Sequence, residues 1–95
     1  MLVDIAVTQE DIDNGIRGSG SMCPVALAVR RRTGDINVSV YSRGVLFFNR
    51  SSSLVAQLPS TARAFISAFD SGALPKALLC PFTFQMDIPD PFMCH

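Results

Sequence analysis

One apolar stripe constrains this chain more than any other feature. Ala62, Phe65, Ile66 and Phe69 fall at i, i+3, i+4 and i+7, the spacing of a single helix face. Pro59-Ser60 opens the segment and Asp70-Ser71-Gly72 closes it. A helix of this length holds together by burying such a face against something else. The cover has to come from segments of another period. Leu2 to Val7 reads as a strand, with Ile5 and Val7 alternating around Ala6. Ile36, Val38 and Val40 alternate with Asn37, Ser39 and Tyr41. Phe82, Phe84, Met86 and Ile88 alternate with Thr83, Gln85 and Asp87, and Pro89-Asp90-Pro91 stops that run. Val45 to Phe48 is apolar on both faces, and Ser53 to Leu58 is a further strand. The turns Ser42-Arg43-Gly44 and Asn49-Arg50-Ser51-Ser52 join these central segments into an antiparallel meander.

Two other helices are expected. Thr8 and Asp11 form a capping box in which Asp stands where Glu or Gln is usual. Glu10, Asp11 and Asp13 then sit at the positive end of a short helix that ends near Asn14-Gly15 or Arg17-Gly18. Cys23-Pro24 starts the next helix, since proline is tolerated at the first helical position. Val25 to Val29 is apolar on every side and must be buried, within the domain or on association. Arg30-Arg31-Arg32 meets the negative end of that helix, and Thr33-Gly34 stops it. The order is β-α-α-β-β-β-α-β. This predicts an α+β fold: a small single domain, residues 1–95, with a largely antiparallel sheet of four or five strands, three helices packed on one face and a mobile tail at 89–95.

Composition narrows the function classes. A chain of 95 residues that is 48% apolar and 17% charged is neither a disordered polyelectrolyte nor low-complexity. Eight cations balance eight anions, so bulk charge draws it neither to nucleic acid nor to a membrane. No apolar run is long enough to span a bilayer. So few charges and two wholly apolar segments exceed what one small core hides, which predicts a homo-oligomer. The N-terminus lacks a basic region followed by a long apolar one, so no secretion signal is expected. Cys23, Cys80 and Cys94 are then expected to be free thiols, with Cys23 at a helix N-cap.

The charges are unevenly placed. The acids Asp4, Glu10, Asp11 and Asp13 open the chain, while Arg17, Arg30, Arg31, Arg32, Arg43, Arg50 and Arg63 fill its middle. Arginine presents a planar donor fork that suits phosphate and carboxylate. Arg17-Gly18-Ser19-Gly20-Ser21 stands directly before a helix N-terminus. Its glycines let backbone amides converge, its serines add hydroxyls and Arg17 adds charge, the elements of a phosphate cradle. The same residues also make a plain link between two helices. The loop is neither a Walker loop nor a dinucleotide fingerprint. Arg30 or Arg43 would complete the pocket across a subunit boundary. A metal site is not expected, because Cys94-His95 is the lone pairing of metal-binding types. No cofactor is implied. GxSxG, HExxH and CxxC are missing, and the single histidine, His95, ends the sequence, so no enzyme is expected.

Thr8-Gln-Glu-Asp-Ile-Asp-Asn-Gly15 through Cys23-Pro-Val-Ala-Leu-Ala28, with Leu58-Pro59, Ala64-Phe65-Ile66 and Phe69-Asp70-Ser71-Gly72, resembles small uncharacterised proteins of bacteriophages and prophages. The resemblance covers most of the chain. It implies an accessory, anti-defence-like protein acting in the host cytoplasm, with no assigned activity to carry over. Two expectations follow. In the first, the chain is a non-enzymatic protein that sequesters a small phosphate-bearing signal such as a nucleotide, held by Arg17, Gly18, Ser19, Gly20 and Ser21. In the second, it inhibits a host defence protein by binding it directly through apolar surface. Nucleic-acid binding by the central arginines is the least favoured of the alternatives.

Overall fold

In a computed structural model the described residues are 2–33, 37–41, 44–48, 53–72 and 74–88. The tail at 89–95, with Cys94 and His95, lies outside them, as do Arg43, Arg50 and most of both meander turns. The elements follow the expected order. They are β1 (Leu2–Val7), α1 (Gln9–Asn14), α2 (Pro24–Thr33), β2 (Asn37–Tyr41), β3 (Gly44–Phe48), β4 (Ser53–Gln57), α3 (Ser60–Ser71) and β5 (Phe82–Asp87). A 3-10 turn over Lys76–Leu78, which no sequence pattern announced, precedes β5.

The fold is α+β and every ladder is antiparallel, but the five strands form two sheets rather than one. In the first, β1 pairs with β5, Val3 opposite Met86, Ile5 opposite Phe84 and Val7 opposite Phe82. In the second, β3 lies between β2 and β4, so that Val38, Phe47 and Leu54 form one cross-strand row and Val40, Val45 and Ala56 the next. The strand β4 approaches β5 without a ladder. The split follows from the long return of the chain: Pro59 turns it into α3, and β5 arrives only after the 3-10 turn, on the N-terminal strand. Because α2 packs on both β1 and β2, it joins the sheets, and the expectation of three helices on the face of one sheet gives way to this bridge.

The core is one contiguous cluster. Alternation in β1 puts Val3, Ile5 and Val7 inside, and Phe84 and Met86 face them from β5. From α2 come Val25, Ala26, Ala28 and Val29, which are all buried, while Leu27 of the same apolar segment is half-buried. The stripe of α3 contributes Ala62, Ile66 and Phe69, while Phe65 is half-buried at its edge. There Phe65 meets Phe82 at 4.8 Å between ring centres, and Phe82 meets Phe84 at 5.7 Å, distances at which aromatic pairs attract.

Local chemistry fixes the helix starts. The Asp11 amide donates to the Thr8 hydroxyl at 3.2 Å, and the Thr8 amide donates back to Asp11 Oδ2 at 2.9 Å, a complete capping box. At α2 the Ala26 amide donates to Cys23 Sγ at 3.4 Å, so the thiol supplies the cap. Thr33 ends that helix by returning its hydroxyl to the Val29 carbonyl at 2.8 Å.

Candidate functional site

The loop Arg17–Ser21 is the leading candidate from sequence, and several of its groups bond within the chain. The Gly18 amide donates to Asp70 Oδ1 at 3.1 Å, so the carboxylate it meets is the chain's own. Gly18 has φ 75°, a left-handed backbone that glycine adopts without cost. The Ser19 amide reaches the Ile16 carbonyl, and the Ser19 hydroxyl accepts from the Met22 amide at 3.2 Å. The Gly20 carbonyl accepts from the Val40 amide at 2.7 Å. A side chain at Gly20 would meet Ser39 Oγ and the Val40 carbonyl at 2.9 Å, so this glycine permits a close backbone approach to β2. Arg17 donates to the Leu74 carbonyl at 2.7 Å, and its guanidinium lies 5.0 Å from the Phe69 ring centre, a cation–π contact. Arg30 reaches back to the Ser21 carbonyl at 3.4 Å. Arg43 lies outside the described residues.

Lys76 extends this arrangement. Its ammonium donates to the Asp13 carbonyl at 3.1 Å and the Gly15 carbonyl at 2.8 Å. Together Arg17, Lys76 and Asp70 clasp the segment after α3 onto the loop after α1. The Gly18 amide and the Arg17 fork thus meet groups of the same chain.

A second cluster was hidden inside two separate local explanations. Arg31, read as one of three dipole cations, forks onto Asp11, read as a cap. Its two terminal nitrogens lie 2.7 and 2.8 Å from the two carboxylate oxygens, and one of them also donates to the Ala6 carbonyl at 2.9 Å. Asp11 is buried, with 4% of its surface exposed. Burial pushes its carboxyl up, but the Arg31 hydrogen bond, the Thr8 amide, the Arg31 charge and the Thr8 hydroxyl together outweigh it and hold the group below the ordinary aspartate value. The pair ties the ends of β1, α1 and α2 together. Beside it lies a cavity of about 340 Å³ lined by Asp4, Ala6, Ala28, Arg31 and Arg32, in which acid and base stand side by side.

The third place has the character of a recognition site. The outer face of the β2–β3–β4 sheet carries the row Tyr41, Gly44, Gln57. Gly44 has no side chain, and a Cβ there would press on the Ala56 carbonyl, so this glycine permits the close approach of β3 to β4. A half-open notch of about 470 Å³ is lined there by Tyr41, Val55, Gln57, Leu58 and Arg63. Leu58 is buried and forms an apolar wall, while Tyr41 and Val55 are 42% and 54% exposed. Arg63 stands in the first turn of α3, off its apolar stripe. That turn carries no acidic residue, and Pro59 gives no side-chain cap, so no group of the first turn offsets the positive end of the helix dipole. None of the described residues that line the notch is a carboxylate.

Two sequence signals pointed here: Tyr41 on the polar side of its strand, and Arg63 beside the α3 stripe. Their meeting depends on a register and a helix placement that no local pattern contains. Among the described residues no group of three His, Cys, Asp or Glu could hold a metal ion, and no helix is long and apolar enough to cross a membrane. No family model matches the chain, and no curated protein or solved structure matches it significantly.

Proposed function

We propose that this chain is a non-enzymatic binding protein that takes a small phosphate-bearing ligand in the notch between the outer sheet face and the start of α3. The observation that carries the reading is Arg63: a guanidinium on a notch of about 470 Å³ whose described lining residues include no carboxylate. That volume lies within the range of small-ligand sites, roughly 300–1,000 Å³. A guanidinium, a phenol and an amide recognise by charge, hydrogen bonds and ring contact. In the setting that the phage resemblance implies, the host cytoplasm, such binding sequesters a nucleotide-type signal. The loop Arg17–Ser21 then serves as a connector that positions α2 and β2.

Native mass spectrometry of the purified protein, followed by calorimetry with phosphate-bearing ligands, tests this. Arg63→Gln should weaken binding roughly ten- to a hundredfold, the worth of about one charge-assisted hydrogen bond. Gly18→Ala should leave affinity unchanged. If Gly18→Ala abolishes binding and Arg63→Gln does not, the site is the loop. A second reading, inhibition of a host protein by direct contact, draws on the exposure of Tyr41 and Val55 on the same sheet face. A stable complex with one bacterial protein, lost in Val55→Glu, would favour it. Self-association is part of the proposal too, and sedimentation at micromolar concentration tests it.

A further inference from the structure

Three features of the notch have no partner in the described residues and lie around one cavity. All three line that cavity, and among the described residues the Tyr41 ring meets no other ring or cation, the Gln57 amide makes no side-chain hydrogen bond and the Arg63 guanidinium makes no ion pair. Tyr41 and Gln57 flank Gly44, one on each neighbouring strand of the same row, and Arg63 of α3 lines the same notch. The notch therefore differs along its length. The sheet side offers an exposed aromatic ring, the apolar Val55 and an amide that both donates and accepts. The helix side offers a cation and the positive end of a dipole.

Resting on the anion-binding reading above, we infer that the ligand is a planar aromatic ring joined to a phosphate, its ring against Tyr41 and Val55 and its phosphate on Arg63. A bare phosphate would use one side of the notch and leave a half-exposed tyrosine and valine idle. A ring alone would leave the guanidinium and the helix terminus without a counter-charge. An aromatic face tolerates every nucleobase, since each presents a π-face, while Gln57 can hydrogen-bond to a base edge. The chemical class is the nucleoside phosphates.

Titration calorimetry of the full chain separates the two layers with three probes: adenosine 5′-monophosphate, guanosine 5′-monophosphate and ribose 5-phosphate. The ring should make either nucleotide bind roughly ten- to a hundredfold more tightly than ribose 5-phosphate. Tyr41→Leu should remove that advantage and leave ribose 5-phosphate as it was. Arg63→Gln should weaken all three by a similar factor. If nucleotides and ribose 5-phosphate bind alike in the parent, or if Tyr41→Leu leaves the difference intact, the ring contact is wrong and the anion site stands. If none of the three binds, both readings fall. Far-UV circular dichroism of each variant confirms that it is folded; should Tyr41→Leu unfold, Tyr41→Ser at this exposed position replaces it.

Discussion

Removing the Asp11 carboxylate should destabilise the fold by about 2–4 kcal/mol, far more than removing a surface acid. The magnitude follows from what the group touches. As a cap it accepts from the Thr8 amide and positions α1, and the loss of such a cap costs about 0.5–2 kcal/mol. As an ion-pair partner it receives both arms of Arg31 at 2.7 and 2.8 Å, and hydrogen bonds to charged groups contribute about 1.5–3 kcal/mol. That second part is reduced because 53% of the Arg31 side chain is exposed, so water rehydrates the guanidinium once Asp11 is gone. The reverse truncation differs. Arg31→Ala leaves a buried carboxylate facing only Thr8, and stranding a buried charge costs about 3–5 kcal/mol. Arg31→Ala should therefore hurt at least as much as Asp11→Ala, and the double variant should be less unstable than the two losses added. Urea denaturation followed by far-UV circular dichroism gives all four corners of the cycle.

The same network fixes a pH dependence. The Asp11 carboxyl is held below its ordinary value, with the Arg31 bond, the Thr8 amide and the Arg31 charge outweighing the upward push of burial. The folded state thus binds this proton more weakly than the unfolded chain. The stabilisation is fully present above the unfolded value of about 3.9 and is lost as pH falls through the lower folded one. Asp11→Asn should flatten the acid limb of the stability curve below about pH 4. A coupling energy under about 0.5 kcal/mol at neutral pH, with an acid limb superimposed on that of the parent, would refute the assignment.

Phe69 is 1% exposed, so Phe69→Ala should cost about 3–5 kcal/mol, enough to leave a domain of this size barely folded; an unchanged melting temperature would contradict its place in the core. Gly20→Val should destabilise by about 1–3 kcal/mol, because its side chain would press on Ser39 and Val40. Gly18→Ala, with open space around it but φ 75°, should cost only about 1 kcal/mol; equal losses in the two melts would count against this account of the loop. The two described thiols should react unequally with an aromatic disulfide reagent. Cys80 is exposed and should react at once, whereas Cys23 is buried, its thiol pushed up chiefly by that burial, and should react only on unfolding; fast labelling of Cys23 would mean that α2 opens readily.

What the sequence determined was whatever is local. The capping box at Thr8 and Asp11, the proline start of α2, the period-two runs of β1, β2 and β5 and the stripe of α3 each depend on residues a few positions apart, and each element formed where those residues stand. Burial followed the same rule, since period and polarity fix which face of a helix or strand turns inward. Tertiary structure decided everything that joins distant positions. Nothing around Phe82 tells β5 to pair with β1 rather than β4, because both offer alternating apolar partners and the choice rests on the path of the chain between them. At the Arg17–Ser21 loop the sequence shows donors and leaves out the acceptors that the fold brings to some of them. Asp70 and Leu74 arrive from more than fifty positions away to take up the Gly18 amide and the Arg17 fork. Arg31 likewise looked like a dipole cation until the fold set Asp11 against it. The notch had the weakest local signal, one tyrosine and one arginine each out of step with an apolar pattern, because a cavity belongs to the spacing between elements and not to any one of them.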